Sequence, residues 1–200
     1  MLRPAAAVST SPKRRLGPAA NAHWLTDRLA VGGELNMFDE DLAADQLADI
    51  IEAGITHVVD LRAERRGMPQ WPEHAGLVVR SAGVEDDGAP RSGEWFDAFV
   101  PWVVDVLAQP ETKVLVHCAM GSNRGPSGAF AVLLMLGWEP GAALDLIQSQ
   151  RPYAQIRYAE DACLWAHDRT RAGNARRSND YSVISRWRTA SVGRSAHTNP

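Results

Sequence analysis

Cys118 and Arg124 stand six residues apart in a short loop that follows an apolar run. The run from Lys113 to Val116 predicts a buried strand, and the apolar pattern after Gly125 predicts a helix. A strand, a short loop and a helix N-terminus together bind anions, because unpaired N–H groups and the helix dipole point at the ligand. The same groups stabilise the thiolate of a cysteine placed among them, and arginine grips phosphate oxygens with two parallel N–H groups. The pattern therefore indicates phosphoryl transfer to Cys118.

The same stretch resembles the His-Cys-x5-Arg signature of the dual-specificity branch of the cysteine-based protein tyrosine phosphatases. His117 precedes the cysteine, and Gly121 lies inside the loop. An opening strand, a second strand and an Arg-Pro pair also resemble this family, at residues 24–33, 54–62 and 150–152. The likeness covers residues 22–170, which we expect to form the catalytic domain. It implies an α/β fold of the protein-tyrosine-phosphatase type, a single domain with a central, mostly parallel sheet flanked by helices.

The resemblance assigns a role to each part of the loop. Cys118 is the nucleophile, which attacks phosphorus and becomes a phosphocysteine. The phosphate oxygens are bound by Arg124 and by the backbone N–H groups of the intervening residues, Ala119, Met120, Gly121, Ser122 and Asn123. Such preorganised donors are the main source of rate enhancement in phosphoryl transfer. His117 either orients the loop or is a purely structural residue at a strand end.

The leaving oxygen needs a proton, which a carboxylic acid on a nearby loop should supply. Asp86 and Asp87 are the candidates. Asp86 lies 32 residues before Cys118 and ten before Phe96, which is the spacing of the acid in the dual-specificity pattern. Asp87 is one residue off each spacing, so Asp86 is favoured and Asp87 stays open.

Two other features bear on the site. Arg62, with Arg65 and Arg66, forms a basic cluster that either binds an anionic substrate or is a solvated loop. The family usually has Ser or Thr directly after the loop arginine, where the hydroxyl stabilises the departing thiolate. Gly125 stands there in this chain, and the next hydroxyl belongs to Ser127. We therefore expect slow breakdown of the phosphocysteine, and a phosphate-binding protein without turnover remains an alternative.

Composition and charge restrict the class of protein. The chain has 200 residues and two cysteines, Cys118 and Cys163, which suits one domain in a reducing cytoplasm without a disulfide framework. We expect no signal peptide, no membrane span, no cofactor and no metal. Residues 1–21 and 171–200 are basic, whereas the rest is acidic; we predict both ends to be flexible tails. Cys163 is expected to pack in the core.

The hydrophobic pattern alternates between strands and helices, which predicts a largely parallel sheet covered on both faces. One strand is expected over 23–33, and a helix opened by Asp39 and stopped by Gly54. Buried strands follow at 56–61 and 77–82. A helix over 94–107 should be kinked by Pro101. The remaining elements are a strand at 113–117 and helices at 127–136, 140–150 and 158–170.

The favoured function is hydrolysis of phosphotyrosine, with phosphoserine and phosphothreonine also conceivable. An inositol phosphate or another small phosphate ester is the second candidate, although no lysine lies between Cys118 and Arg124. A rhodanese-type sulfurtransferase is a third candidate, but its chemistry would not need an acid at position 86. Nucleic acid is an unlikely partner, and the oligomeric state stays open.

Overall fold

The computed structural model describes residues 13–64, 71 and 75–195. Its sheet has five strands, β1 to β5 in chain order: Ala22–Trp24, Leu29–Gly32, His57–Arg62, Val78–Val84 and Val114–His117. Their order across the sheet is β1-β2-β5-β3-β4. β1 is antiparallel to β2, and the other neighbouring pairs are parallel. The predicted α/β class, with a mostly parallel sheet flanked by helices, is confirmed.

Among the described residues, seven helices accompany this sheet. In chain order, α1 to α7 are Glu40–Glu52, Gly93–Asp97, Val100–Ala108, Arg124–Met135, Pro140–Gln150, Ala159–Thr170 and Asn174–Ser195. α1 begins as predicted, because the Asp39 carboxylate accepts a hydrogen bond from the Leu42 N–H at 3.0 Å. Gly54 follows its end with a φ of 81°, a left-handed conformation that glycine adopts without strain.

The central strand β5 has apolar side chains on both faces. Leu115 packs with Val58 and with Ile50 of α1 on one face of the sheet. Val114 and Val116 belong to the larger cluster on the opposite face, which α4 fills. Side chains alternate along a strand, so a strand with an apolar residue at each position must be covered twice. This double cover places the end of β5, and Cys118 after it, in the middle of the fold.

Three elements differ from the sequence prediction. The strand expected to be buried at 77–82 is the edge strand β4, whose residues are exposed or half-buried. The single strand expected at 23–33 is a hairpin of β1 and β2, because the Thr26 hydroxyl accepts hydrogen bonds from the N–H groups of Arg28 and Leu29 and closes a turn. The single kinked helix expected at 94–107 is two helices, α2 and α3. Pro101 lies in the first turn of α3, where its missing N–H costs no hydrogen bond.

The C-terminal segment expected to be flexible contains α7, which packs on α5 and α6. Ile184 and Trp187 are buried, at 0% and 9% exposure, as is Asp180. At the other end, Arg15 pairs with His23 and Ala20 is buried, so the packed chain extends beyond the predicted limits of 22 and 170. Residues 1–12 and 196–200 of the predicted tails, with Arg65 and Arg66, lie outside the described residues.

Candidate active site

The loop from Ala119 to Asn123 joins β5 to α4 at the carboxyl edge of the sheet. Cys118 lies between β5 and this loop. Its side chain is buried, and its N–H donates to the Gly32 carbonyl at 3.3 Å. Gly121 has a φ of 66°. A Cβ at Gly121 would lie 2.3 Å from the Arg151 guanidinium and 2.6 Å from the Gly32 carbonyl carbon, so only glycine fits there.

Arg151 holds the carbonyl side of the loop. Its Nε donates to the Gly121 carbonyl at 2.9 Å and its Nη2 to the Met120 carbonyl at 3.3 Å, and the residue is wholly buried. Because these carbonyls face Arg151, the adjoining N–H groups are left for the opposite side. Among the described residues, no backbone carbonyl accepts a hydrogen bond from an N–H of residues 119–123. The loop therefore offers a concave set of donors to an anion.

His23 forms a hydrogen bond with Arg151. Its Nδ1 lies 3.0 Å from Arg151 Nη1. Burial, and then the charge of Arg151, lowers the pKa of His23 from 6.5 to about 4. A neutral imidazole accepts the hydrogen bond from the guanidinium, whereas a protonated one would repel it.

Arg124 is buried, and the two edges of its guanidinium group have different surroundings. Its Nη1 and Nη2 donate to the two carboxylate oxygens of Glu64, both at 2.6 Å, and Nη1 also donates to the Val84 carbonyl at 2.8 Å. The Nε is buried without a hydrogen-bond partner among the described residues. Burial disfavours the charged guanidinium, but the hydrogen bonds to Glu64 raise the pKa of Arg124. Glu64 therefore occupies one edge of the fork, and the edge with Nε–H remains for another acceptor.

Asp86 lies over the same edge of the arginine. Its Oδ2 is 3.6 Å from Arg124 Nε. Its Oδ1 accepts hydrogen bonds from Asn123 Nδ2 at 2.5 Å and from the Tyr158 hydroxyl at 3.1 Å. Asp87 points elsewhere, since it pairs with Arg91 and accepts from the Ala89 N–H. The structure therefore brings Asp86, and not Asp87, to the loop.

His117 is fully buried behind the cysteine. Its Nδ1 faces the Cys118 carbonyl at 3.3 Å, and its Nε2 accepts from the Trp71 indole N–H at 3.1 Å. Asp60 also lies near, with 3.7 Å between His117 Nε2 and Asp60 Oδ2. The nitrogens of His117 are thus directed to the backbone and to buried neighbours, and its role, orienting the loop or purely structural, stays a prediction.

Arg62 does not face the loop. Its Nε and Nη2 donate to both oxygens of buried Asp60, at 2.9 and 2.7 Å, and its Nη1 donates to Glu34 at 2.5 Å. Its side chain is 2% exposed. These bonds correct the prediction of a substrate-binding arginine, because every nitrogen of the guanidinium is bound to a carboxylate of the protein.

Gly125 lies against the backbone of the loop. A Cβ at this position would stand 3.3 Å from the Cys118 nitrogen and 3.3 Å from the Gly32 carbonyl oxygen, which is tighter than ordinary van der Waals contact. Ser127, the next hydroxyl, is buried; it donates to Asn123 Oδ1 at 3.4 Å and accepts from the Tyr158 N–H at 3.3 Å. The close approach of helix and strand thus excludes a side chain at Gly125 without a small shift of the backbone.

Sequence reasoning assigned no role in this site to four residues: Arg151, Glu64, Tyr158 and His23. Glu64 follows β3, so its place at the carboxyl edge of the sheet was a usable signal. Tyr158 comes from the start of α6 and His23 from the edge strand β1. No motif marks these two, because only the folded chain brings them to the loop.

Comparisons with known proteins show what the chain is similar to. A solved structure of PTPMT1 in complex with PI(5)P has the same fold and superposes with a TM-score of 0.63, at 15% identity, over 76% of this chain and 99% of that one. No protein-family model matches the chain.

Curated relatives are closer in sequence. Dual specificity protein phosphatase 26 of Rattus norvegicus is 34% identical over 104 residues, which are 50% of this chain and 48% of that protein. Dual specificity protein phosphatase 13B of Mus musculus is 32% identical over 129 residues, 60% of this chain and 62% of that protein. The chain thus spans about half to three fifths of the relatives it matches. The resemblance to the dual-specificity branch is confirmed.

Proposed function

We propose that the chain is a metal-independent phosphatase that hydrolyses phosphomonoesters through a phosphocysteine at Cys118. The observation that carries this proposal is the buried Nε–H of Arg124, which has no hydrogen-bond partner among the described residues and lies 3.6 Å from Asp86 Oδ2. A buried polar group without a partner is costly. A phosphate oxygen bound there, and by the N–H groups of the loop, would remove that cost.

The chemistry would proceed in two displacements. The Cys118 thiolate attacks phosphorus in line; the S–P bond forms, the P–O bond breaks, and the leaving oxygen takes its proton from Asp86. Asp86, now a carboxylate, removes a proton from water, and that water attacks the phosphocysteine. Inorganic phosphate leaves, and Cys118 returns to the thiolate. The loop N–H groups and Arg124 bind the equatorial oxygens in both steps.

Phosphotyrosine in proteins is the substrate that we favour, with phosphoserine and phosphothreonine in the same class. The curated relatives are dual specificity phosphatases. Phosphoinositides are the second candidate, because PTPMT1 was solved with PI(5)P. Against them, residues 119–123 carry no lysine, and the Glu64 carboxylate adds negative charge at the loop. A ligand with several phosphates would be repelled there.

We further propose that residues 22–170 carry the activity and that it takes place in the cytoplasm. The reaction needs a reduced Cys118, and both cysteines are free, as a reducing compartment keeps them. Among the helices that the structure describes, none has the length and apolar character to cross a membrane.

The test is turnover of phosphotyrosine, phosphoserine and phosphothreonine peptides and of phosphoinositides, with and without a chelator. Acid quenching followed by mass spectrometry should trap one phosphate on Cys118. Arg124→Lys should lower kcat/KM by on the order of 10²-fold, because an ammonium cannot replace the fork. Loss of activity with chelator, or a loss under threefold in Arg124→Lys, would contradict the mechanism. Vanadate binding without any turnover would identify a phosphate-binding protein instead.

A further inference from the structure

A second cluster of reactive side chains lies between α6 and α7 and shares no residue with the loop. Cys163 and His167 are four residues apart on α6, and Asp180 comes from α7. The Cys163 sulfur lies 3.5 Å from His167 Nε2, which lies 2.9 Å from Asp180 Oδ2. All three residues are at most 5% exposed. Three different ligand atoms therefore converge within 4.8 Å in the interior.

His167 Nε2 cannot form an ordinary hydrogen bond with both of its neighbours at the same time. His167 Nε2 has either one hydrogen or one lone pair. If it donates its hydrogen to Asp180, the nearby Cys163 thiol finds no acceptor there. If it presents a lone pair to the thiol, it repels the Asp180 carboxylate. A cation at the centre would accept lone pairs from sulfur, nitrogen and oxygen at once.

The donor set and the spacing fit zinc. Around a tetrahedral ion, Zn–S bonds of about 2.3 Å and Zn–N or Zn–O bonds of about 2.0–2.1 Å separate sulfur from nitrogen by about 3.5 Å, and nitrogen from oxygen by about 3.4 Å. The first separation is already present, the second needs an expansion of about 0.5 Å, and the sulfur and the carboxylate oxygen, which lie within 4.8 Å of each other, must approach to about 3.5 Å. Zinc accepts the mixed set of thiolate, imidazole and carboxylate.

We propose that Cys163, His167 and Asp180 bind one Zn²⁺ ion, which joins α7 to α6. The fourth position would face the small cavity that Cys163 and His167 line together with Leu164 and Tyr181. Arg176 opposes the ion, because its Nε lies 3.4 Å from Asp180 Oδ2; its side chain is 54% exposed and has room to turn away. The ion replaces the thiol proton of Cys163, which is released to solvent.

This role explains why a helix with a basic, polar sequence packs on the domain. Of residues 174–190, the apolar ones that α7 buries are Ile184 and Trp187, which is little apolar surface for that length of helix. An ion shared between α6 and α7 would add a cross-link that the apolar contacts alone do not provide. The site is structural, so it is compatible with a catalytic loop that uses no metal.

Cobalt(II) is the probe, since a cysteine ligand gives it a thiolate-to-metal charge-transfer band. The full chain with Cys118→Ser retains Cys163 as its single cysteine. We expect this variant to show the band, saturating at one equivalent of Co²⁺, and zinc to abolish it. Cys163→Ser, with Cys118 intact, should lack the band. Absence of the band in Cys118→Ser, or its presence in Cys163→Ser, would overturn the proposal.

Thermal unfolding gives a second readout that does not depend on the folding of Cys163→Ser. Zinc at a hundredfold excess over its Kd should raise the Tm of the Cys118→Ser protein by roughly 5 °C or more. Asp180→Asn should show a smaller rise. An equal rise in Asp180→Asn, or none in the Cys118→Ser protein, would count against an ion shared by the two helices. Neither measurement uses phosphatase activity, so failure here leaves the proposed function untouched.

Discussion

Glu64→Gln tests how Arg124 is positioned. The Glu64 carboxylate accepts two parallel hydrogen bonds from the guanidinium, both at 2.6 Å. Glutamine keeps one acceptor oxygen and turns an NH₂ group toward the second N–H, so one bond is lost and a repulsive contact is added. A hydrogen bond to a charged group contributes about 1.5–3 kcal/mol. Because the Glu64 side chain is 46% exposed, water offsets part of this loss, and we take about 1–2 kcal/mol.

That energy predicts a fall in kcat/KM of about 5- to 30-fold. The fall should appear equally for good and poor leaving groups, since Arg124 binds the equatorial oxygens and not the leaving oxygen. Vanadate affinity should fall by a similar factor. The assay is steady-state hydrolysis of an activated aryl phosphate and of a phosphotyrosine peptide, together with vanadate inhibition, at constant ionic strength.

Asp87→Asn is the matched control. It removes one negative charge from the neighbouring loop, but Asp87 pairs with Arg91 and not with Arg124. We expect a change below twofold. The opposite hypothesis treats Glu64 as a competitor that occupies the phosphate site; it predicts tighter vanadate binding in Glu64→Gln. Tighter binding, or no change beyond that of Asp87→Asn, would refute the positioning role.

Three further changes test the rest of the site. Tyr158→Phe removes the hydrogen bond from the Tyr158 hydroxyl to Asp86 Oδ1; we expect kcat/KM to fall more for a phosphotyrosine peptide than for an activated aryl phosphate, because only the former needs a well-placed acid, and an equal fall would contradict the contact. His23→Gln keeps a neutral acceptor at all pH. The pKa of His23 is about 4 in the folded protein and 6.5 ordinarily, so the unfolded state binds more protons between these pH values. As pH falls from 6.5 to 4, the free energy of unfolding of the wild type should therefore fall by up to about 3 kcal/mol relative to that of the variant. Urea unfolding at several pH values measures this difference. Gly125→Ser should lower the urea-unfolding free energy and weaken vanadate binding, because its Cβ presses on the loop; faster turnover without these losses would show that the missing hydroxyl limits the second step.

The local sequence was enough to predict an element wherever the residues that define it lie within one short segment. The loop from Cys118 to Arg124 is contiguous, so strand, loop and helix follow from hydrophobic pattern and spacing. The start of α1 at Asp39 and its stop at Gly54 depend on caps within one turn of chain. Asp86 could be favoured over Asp87 because the resemblance supplied a spacing.

Prediction from the local sequence failed where a residue contacts a partner that is distant in the sequence. Arg62 looked free for a substrate, but its guanidinium is bound by Asp60 and by Glu34, which lies 28 residues earlier. α7 looked flexible, since its average hydrophobicity is low and its few apolar residues acquire meaning only when α5 and α6 lie beneath them. Propensity and composition describe a segment in isolation, whereas burial depends on what packs against it.

By itself, the amino-acid sequence determined the class of fold and predicted Cys118 as the candidate nucleophile and Arg124 as the candidate phosphate-binding arginine, because these depend on order and spacing along a short stretch. The tertiary structure decided which edge of Arg124 stays available, through Glu64, and which groups hold Asp86, through Tyr158. It also decided which side chains meet between α6 and α7. Those outcomes depend on distances between residues far apart in the chain, and such distances are set when the helices and strands pack together.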